Sequence, residues 1–258
     1  MNVVLLRVGI DSGCGGIQGP LFSDGSFDFI PIPSDSHVRG HTYGNLWGRH
    51  KRKVIEYFPT ERLRDKMRDC FVHDDPEFKT WTYGDPTRPK QSLRYLGAGD
   101  LLVFYAGLCG WNDCHEPAAL YIIGYFEVVF AGLYPELVAK NSKETIQKMF
   151  AENFHIIHDD IAGRTYKRRS RNGTVKQSKS ELVLVKGGPG SKLLQKAMRL
   201  SAPKKKFDRG GHRVFVLDPA LEKYFGNFTK LNAIQRSIPR RIEEAHIESA
   251  ARFVRTLR

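Results

Sequence analysis

Apolar residues along this chain come in short runs, and the spacing inside each run predicts an element. Residues 2–8, NVVLLRV, place Val and Leu at successive positions, the pattern of a strand buried on both faces. SDGS at 23–26 is a turn signal. FDFIPIP after it reads as a short strand, barred from a central ladder position by Pro31 and Pro33. Residues 34–50 are polar and glycine-bearing, hence loop. PTERLRDKMRDC, 59–70, supplies Pro and Thr as start signals and Leu63, Met67 and Cys70 at helical spacing. From His73 to Pro89 three prolines and a glycine predict an ordered loop.

GDLLVFYAGL (99–108) and AALYIIGYFEVVF (118–130) are the strongest strand signals, and the short polar excursion between them predicts antiparallel neighbours. SKETIQKMFAEN, 142–153, reads as a helix capped by Ser142, with Ile146, Met149 and Phe150 on its apolar face. KRRSRNGTVKQSK follows as a basic loop with an Asn-Gly turn, then ELVLV (181–185) as a strand. GGPGSKLLQKAMRL predicts a glycine turn into a helix, with Leu193, Leu194, Ala197 and Met198 inward. HRVFVLD (212–218) reads as a last strand; PALEKYFG and IEEAHIESAARFVRTL read as helices. No regular βαβ beat appears. The expectation is one α+β domain over 1–258, a mixed, largely antiparallel sheet with flanking helices. The only internal echo, TYG at 42–44 and 82–84, is too short for a repeat.

Charge changes this picture. The net charge is +13, and its location matters more than its size. Residues 164–213 hold sixteen Lys and Arg against Glu181 and Asp208, a net +14, while the rest of the chain carries 25 bases and 26 acids. A regional cationic excess suits a polyanion, because each neutralised phosphate releases condensed counterions; a solvated basic face is the plainer alternative. No apolar run reaches the ~20 residues of a membrane helix, and no secretory leader pattern is visible. Cys14, Cys70, Cys109 and Cys114 are irregularly spaced, as free buried thiols would be, so a cytoplasmic protein is expected.

Chemistry narrows next. RVGIDSGCGGIQGP, 7–20, lacks both the GxxxxGK[ST] phosphate loop and the GxGxxG pattern, so no nucleotide cofactor is expected there. Its glycines can form a pocket wall with Arg7, Asp11 and Ser12 as polar contacts, or a hairpin with a structural Arg–Asp pair. HDDPEFKTWTYGDP gathers His73, Asp74, Asp75, Glu77 and Asp85 among Phe78, Trp81 and Tyr83. It reads as a base-binding loop, as an ordered loop with capping acids, or, with the Glu77-Phe-Lys79 fragment, as part of a nuclease. GGPGSK, after a strand and before the expected helix, reads as a phosphate site on the amides of Gly190, Ser191 and Lys192, with Lys186 assisting, or as a plain helix start. Cys109, Cys114 and His115 lack the paired spacing of structural zinc, and no metal is expected. His155 and His158 with Asp159 and Asp160 read as helix-end solvation.

RVGIDSGCGG with LFSDGSFDFIPIP, then HDDPEFKTWTYGDP, GDLLVFYAGL and ELVLVKGGPGSKLL, in that order, resemble the nucleotide modification associated domain family, the third of that name. The resemblance covers most of the chain and implies DNA-base modification or phage-conflict systems, without an established reaction. Ser23 departs from it, where a proline is expected before Asp-Gly. GDLLVFYAGL with YIIGYFEVV is also similar to the central hairpin of PUA-like, EVE and ASCH domains, which implies a small barrel core holding a base. Together these predict a nucleic-acid binder, DNA rather than RNA, that recognises or helps process a modified or flipped base. Base contacts are expected from Arg7, Asp11, Ser12, Trp81, Tyr83 and Tyr105. Phosphate contacts are expected from Lys167, Arg168, Arg169, Arg171, Lys186, Gly190, Ser191 and Lys192. The alternative is an enzyme acting on a nucleotide or base, with Asp11, His73 or Asp75 in acid–base roles and a divalent metal at Asp74, Asp75 and Glu77.

Overall fold

The computed structural model describes residues 1–11, 14–34, 40–157, 166–170, 173–177, 181–202, 206–207, 213–228, 234 and 237–258, with backbone alone at 166–170, 173–177, 206–207 and 213. The chain divides into two compact units: a larger one of residues 2–73, 101–125 and 192–258, and a smaller one of residues 1, 74–100 and 126–191.

The larger unit is organised by β1 (Val3–Arg7) and β6 (Leu101–Gly110). The VVLLR run is buried at every position, as an interior strand requires. Val3 to Leu6 are at most 1% exposed, and each such side chain stabilises by about 1.5–3 kcal/mol relative to exposure. β1 pairs parallel with β6, Val3 opposite Leu101 through Arg7 opposite Tyr105. β2 (Gly19–Leu21) pairs parallel with the far end of the same strand, at Leu108 to Gly110. The glycine segment between β1 and β2 is therefore an excursion between two strands laid along one partner. The short strand β12 (Arg240–Arg241) closes the other side of β1 antiparallel. β3 (Ile32–Ser34) and β4 (Phe71–His73) form a separate antiparallel pair. Helix α1 (Glu61–Arg68) begins where the sequence predicts, with the Thr60 hydroxyl accepting from the Leu63 N–H. Ile10, Ile30, Tyr43, Val54, Tyr57, Phe58 and Val72 form a second core of this unit.

β7 (Ala119–Leu133) starts in the larger unit and ends in the smaller. In the smaller unit its second half pairs antiparallel with β10 (Val183–Gly187), which pairs antiparallel with β5 (Thr82–Asp85). β5 falls inside the stretch expected to be loop. α2 (Tyr134–Asn141) and α3 (Lys143–Met149) cover this sheet through Leu137, Ile146, Phe150 and Leu184. Ser142 caps α3, its hydroxyl accepting from Thr145 N–H.

The helix expected after GGPGSK is instead β11 (Lys192–Arg199), antiparallel to the first half of β7 with a register break between Leu193 and Met198. Leu, Gln, Lys, Ala and Met favour a helix in isolation. Here the ladder groups of β7 need a partner, and tertiary pairing overrides propensity. The basic loop is also structured: β8 (Tyr166–Ser170) and β9 (Gly173–Gln177) pair from Tyr166–Gln177 to Ser170–Gly173. The fold is α+β with a mixed, largely antiparallel sheet. The barrel core implied by the PUA likeness is not formed among the described residues: the strand path ends on β12 in one unit and on β5 in the other, so the sheet stays open. No described helix is long and apolar enough to cross a membrane.

Candidate functional site

In the larger unit the backbone around the opening glycines closes on Asp11. Asp11 and Cys14 exchange backbone hydrogen bonds at 3.1 and 3.0 Å, and Gly16 N–H adds a third to Asp11 O at 3.2 Å. Gly15 and Gly16 take φ of +98° and +85°, where a side chain strains the backbone. Arg7, at the end of β1, reaches Asp11 with an Nη2–Oδ2 distance of 3.1 Å. Tyr105 sits opposite Arg7 in the ladder, fully buried, and its hydroxyl donates to Ile234 O at 3.0 Å. Burial pushes that phenol's pKa up. Arg7, Asp11 and Tyr105 thus share one unit, while Trp81 and Tyr83 belong to the other; Ser12 lies outside the described residues.

In the smaller unit the acidic loop resolves into three separate arrangements. Glu77 is 2% exposed, and its carboxylate accepts from the amides of Lys79 and Thr80 and from the Thr80 hydroxyl, closing a turn into β5. Lys186 Nζ donates to Thr80 O beneath the same turn, and burial lowers its pKa. Asp85 accepts from Tyr83 OH at 3.1 Å, Thr87 N–H at 2.7 Å and Lys90 Nζ at 3.2 Å. Asp75 accepts from Gly84 N–H at 2.9 Å and lies 3.4 Å from His155 Nε2. Burial lifts the Asp75 carboxyl to about 6, against the pull of His155. Asp75 and Glu77 therefore direct their carboxylates at different partners. His73 ends β4 in the larger unit. His155, expected to be solvated at a helix end, is buried at 2% exposure. Trp81, at φ +58°, packs edge-on to Phe78 and Phe126 with centroids 6.4 and 6.0 Å apart.

At the predicted phosphate turn, Lys192 opens a strand, so no helix dipole stands behind Gly190, Ser191 and Lys192. A Cβ on Gly190 would collide with Glu127 Oε2, so the turn packs against a carboxylate on that side. Ser191 Oγ accepts the Glu127 N–H at 3.1 Å. Lys167, Arg168 and Arg169 stand in register opposite Lys176, Val175 and Thr174, and Arg171 lies outside the described residues.

Sequence reasoning missed a second cluster in the larger unit. Asp28, 1% exposed, accepts from Arg49 N–H at 2.6 Å and from the Tyr57 hydroxyl, and lies 3.3 Å from His50 Nδ1. His50 Nε2 is 2.9 Å from Ser26 Oγ. Ser26 and Asp28 sit two apart around buried Phe27, a usable signal for a shared face; the 22-residue gap to His50 carries none.

An open mixed sheet, an antiparallel pair of basic strands and two buried carboxylates, each beside an imidazole, define an α+β protein with polar chemistry built into both units. The chain belongs to the nucleotide modification associated domain 3 family, whose model matches residues 2–252. Its role is accordingly associated with nucleotide modification. No curated protein matches it. No solved structure does either.

Proposed function

We propose that this protein binds nucleic acid, DNA in the first instance, and recognises or helps process a modified or flipped base in a DNA-modification or phage-defence setting. The observation that carries this reading is the concentration of charge: a net +14 within residues 164–213 of a chain otherwise close to neutral. That density suits the sugar–phosphate backbone, with Lys167, Arg168, Arg169 and Arg171 as principal contacts. Arg7 with Asp11, both in the larger unit, supplies a donor and an acceptor for a base edge. Extruding a base costs a few kcal/mol, least when it is damaged or unpaired, which favours such targets.

The test is fluorescence anisotropy with duplex and single-stranded DNA across salt concentrations. Replacing Lys167, Arg168, Arg169 and Arg171 together by Ala should flatten the log K against log salt slope by about 3.6, the value for four phosphates. An unchanged slope would discard the reading.

A second reading, an enzyme acting on the base, draws on Asp75. A buried carboxyl lifted to about 6 beside an imidazole has the environment of an acid–base group. Nucleoside mass spectrometry after incubation with modified DNA separates the two: a new nucleoside supports the enzyme, unchanged nucleosides with retained binding support the reader.

A further inference from the structure

We propose that Ser26, His50 and Asp28 form a nucleophile, base and anion relay, giving the larger unit an ester-hydrolysing centre that does not depend on DNA binding. The local sequence builds it. Gly25, at φ +84°, completes the Asp24–Gly25 turn, and the bridge from Leu21 to Phe27 returns the chain. With Phe27 turned into the core, strand alternation places Ser26 and Asp28 together on the opposite side. His50 is brought in by its neighbours. Gly48 leaves no room for a Cβ against the Asp28 carboxylate, and Arg49 donates its N–H to that carboxylate. The Arg49 guanidinium bonds Leu194 O at 2.7 Å and lies 5.3 Å over the Phe27 ring, which fixes the loop.

The three groups then run from core to solvent. Asp28 is 1% exposed and held in place by the Arg49 N–H and the Tyr57 hydroxyl, with His50 Nδ1 3.3 Å away, so it serves as a fixed anion. A proton carried on His50 Nδ1, 3.3 Å from the Asp28 carboxylate, leaves Nε2 as the acceptor. His50, 32% exposed, presents Nε2 to Ser26 Oγ. The Ser26 hydroxyl has one proton and two acceptors, Asp24 Oδ1 at 2.5 Å and His50 Nε2 at 2.9 Å. Rotation from Asp24 to His50 is the activating move.

In the reaction, Ser26 Oγ bonds the carbonyl carbon of an ester while its proton passes to His50 Nε2. The carbon–oxygen bond to the alcohol breaks, and the alcohol leaves with that proton. Water then adds to the acyl-serine and gives a proton to Nε2; the carboxylic acid departs, and Ser26 recovers its hydrogen. Phe22 lies against His50 with ring centroids 3.9 Å apart and planes tilted by 36°, Tyr57 meets Phe22 edge-on at 6.3 Å, and Trp111 meets Tyr57 edge-on at 5.2 Å. This aromatic flank fits a carboxylic ester with an apolar acyl group.

The experiment treats the full chain with a fluorophosphonate probe, maps adducts by peptide mass spectrometry, and follows p-nitrophenyl butyrate hydrolysis. One adduct is expected, on Ser26, absent in Ser26→Ala and formed at least about 100-fold more slowly in His50→Gln. Asp28→Asn, a change at a positioning residue, should slow labelling and displace its pH profile, which a purely structural role would leave in place. Asp24→Ala should still label. In a Ser26→Cys background, iodoacetamide alkylation should depend on His50, and circular dichroism confirms that each variant is folded. No adduct on the folded wild type, equal labelling of His50→Gln, or loss of labelling in Asp24→Ala with His50→Gln unaffected would overturn the proposal.

Discussion

Replacing Tyr57 by Phe removes one oxygen and leaves the ring between Phe22 and Trp111. That oxygen donates to Asp28, whose side chain is 1% exposed and beyond the reach of replacement water. A hydrogen bond to a charged group contributes about 1.5–3 kcal/mol, so the expected loss is about 2 kcal/mol. Arg49 N–H at 2.6 Å and His50 at 3.3 Å remain, which keeps the cost below that of an unpaired buried charge. For a chain of this size the melting temperature should fall by about 4–8 °C. Urea unfolding at neutral pH measures the free energy, and a cycle with Asp28→Asn isolates the pair. With a neutral amide in place of the carboxylate the hydroxyl is worth about 1 kcal/mol, leaving a coupling of about 1 kcal/mol. A Tyr57→Phe change under about 0.5 kcal/mol, or strict additivity with Asp28→Asn, would refute the view that a buried anion organises this region.

Three further outcomes are expected. Burial raises Asp75 from 3.8 to about 6, so the folded state holds that proton more tightly than the unfolded chain. The stability this supplies is complete below about pH 4 and lost as pH rises through 6. Asp75→Asn should flatten the dependence by about 2.4 kcal/mol between pH 4 and pH 7.5, read by urea unfolding at several pH values; parallel wild-type and variant curves would contradict it. Gly84→Ala places a methyl 2.9 Å from Asn153 Oδ1 and 3.1 Å from His155 Cδ2, and should cost about 1–3 kcal/mol in thermal unfolding, with no loss arguing against this packing. Thr60→Ala should cost about 1 kcal/mol by removing the α1 cap, measured by the same melt.

Much of the fold was legible because the decisive signals are local. The VVLLR run, the two long central strands, and the Thr60 and Ser142 caps each lie in a few consecutive residues, and each appears where expected. The segment Lys192–Arg199 was illegible for the opposite reason. Its residues favour a helix, and only the ladder of β7, some seventy positions earlier, makes it a strand. That reversal also removed the helix end on which a phosphate at Gly190 to Lys192 depended.

The sequence by itself determined the α+β class, the family and the regional charge, since composition and contiguous motifs survive without coordinates. Tertiary structure alone decided the side-chain partners. His155 meets Asp75 across eighty residues, and His50 meets Ser26 and Asp28 across more than twenty. Such pairings depend on how strands and turns stack. Only folding brings distant polar groups within 3–4 Å in a buried setting, where one hydrogen bond fixes a proton's position.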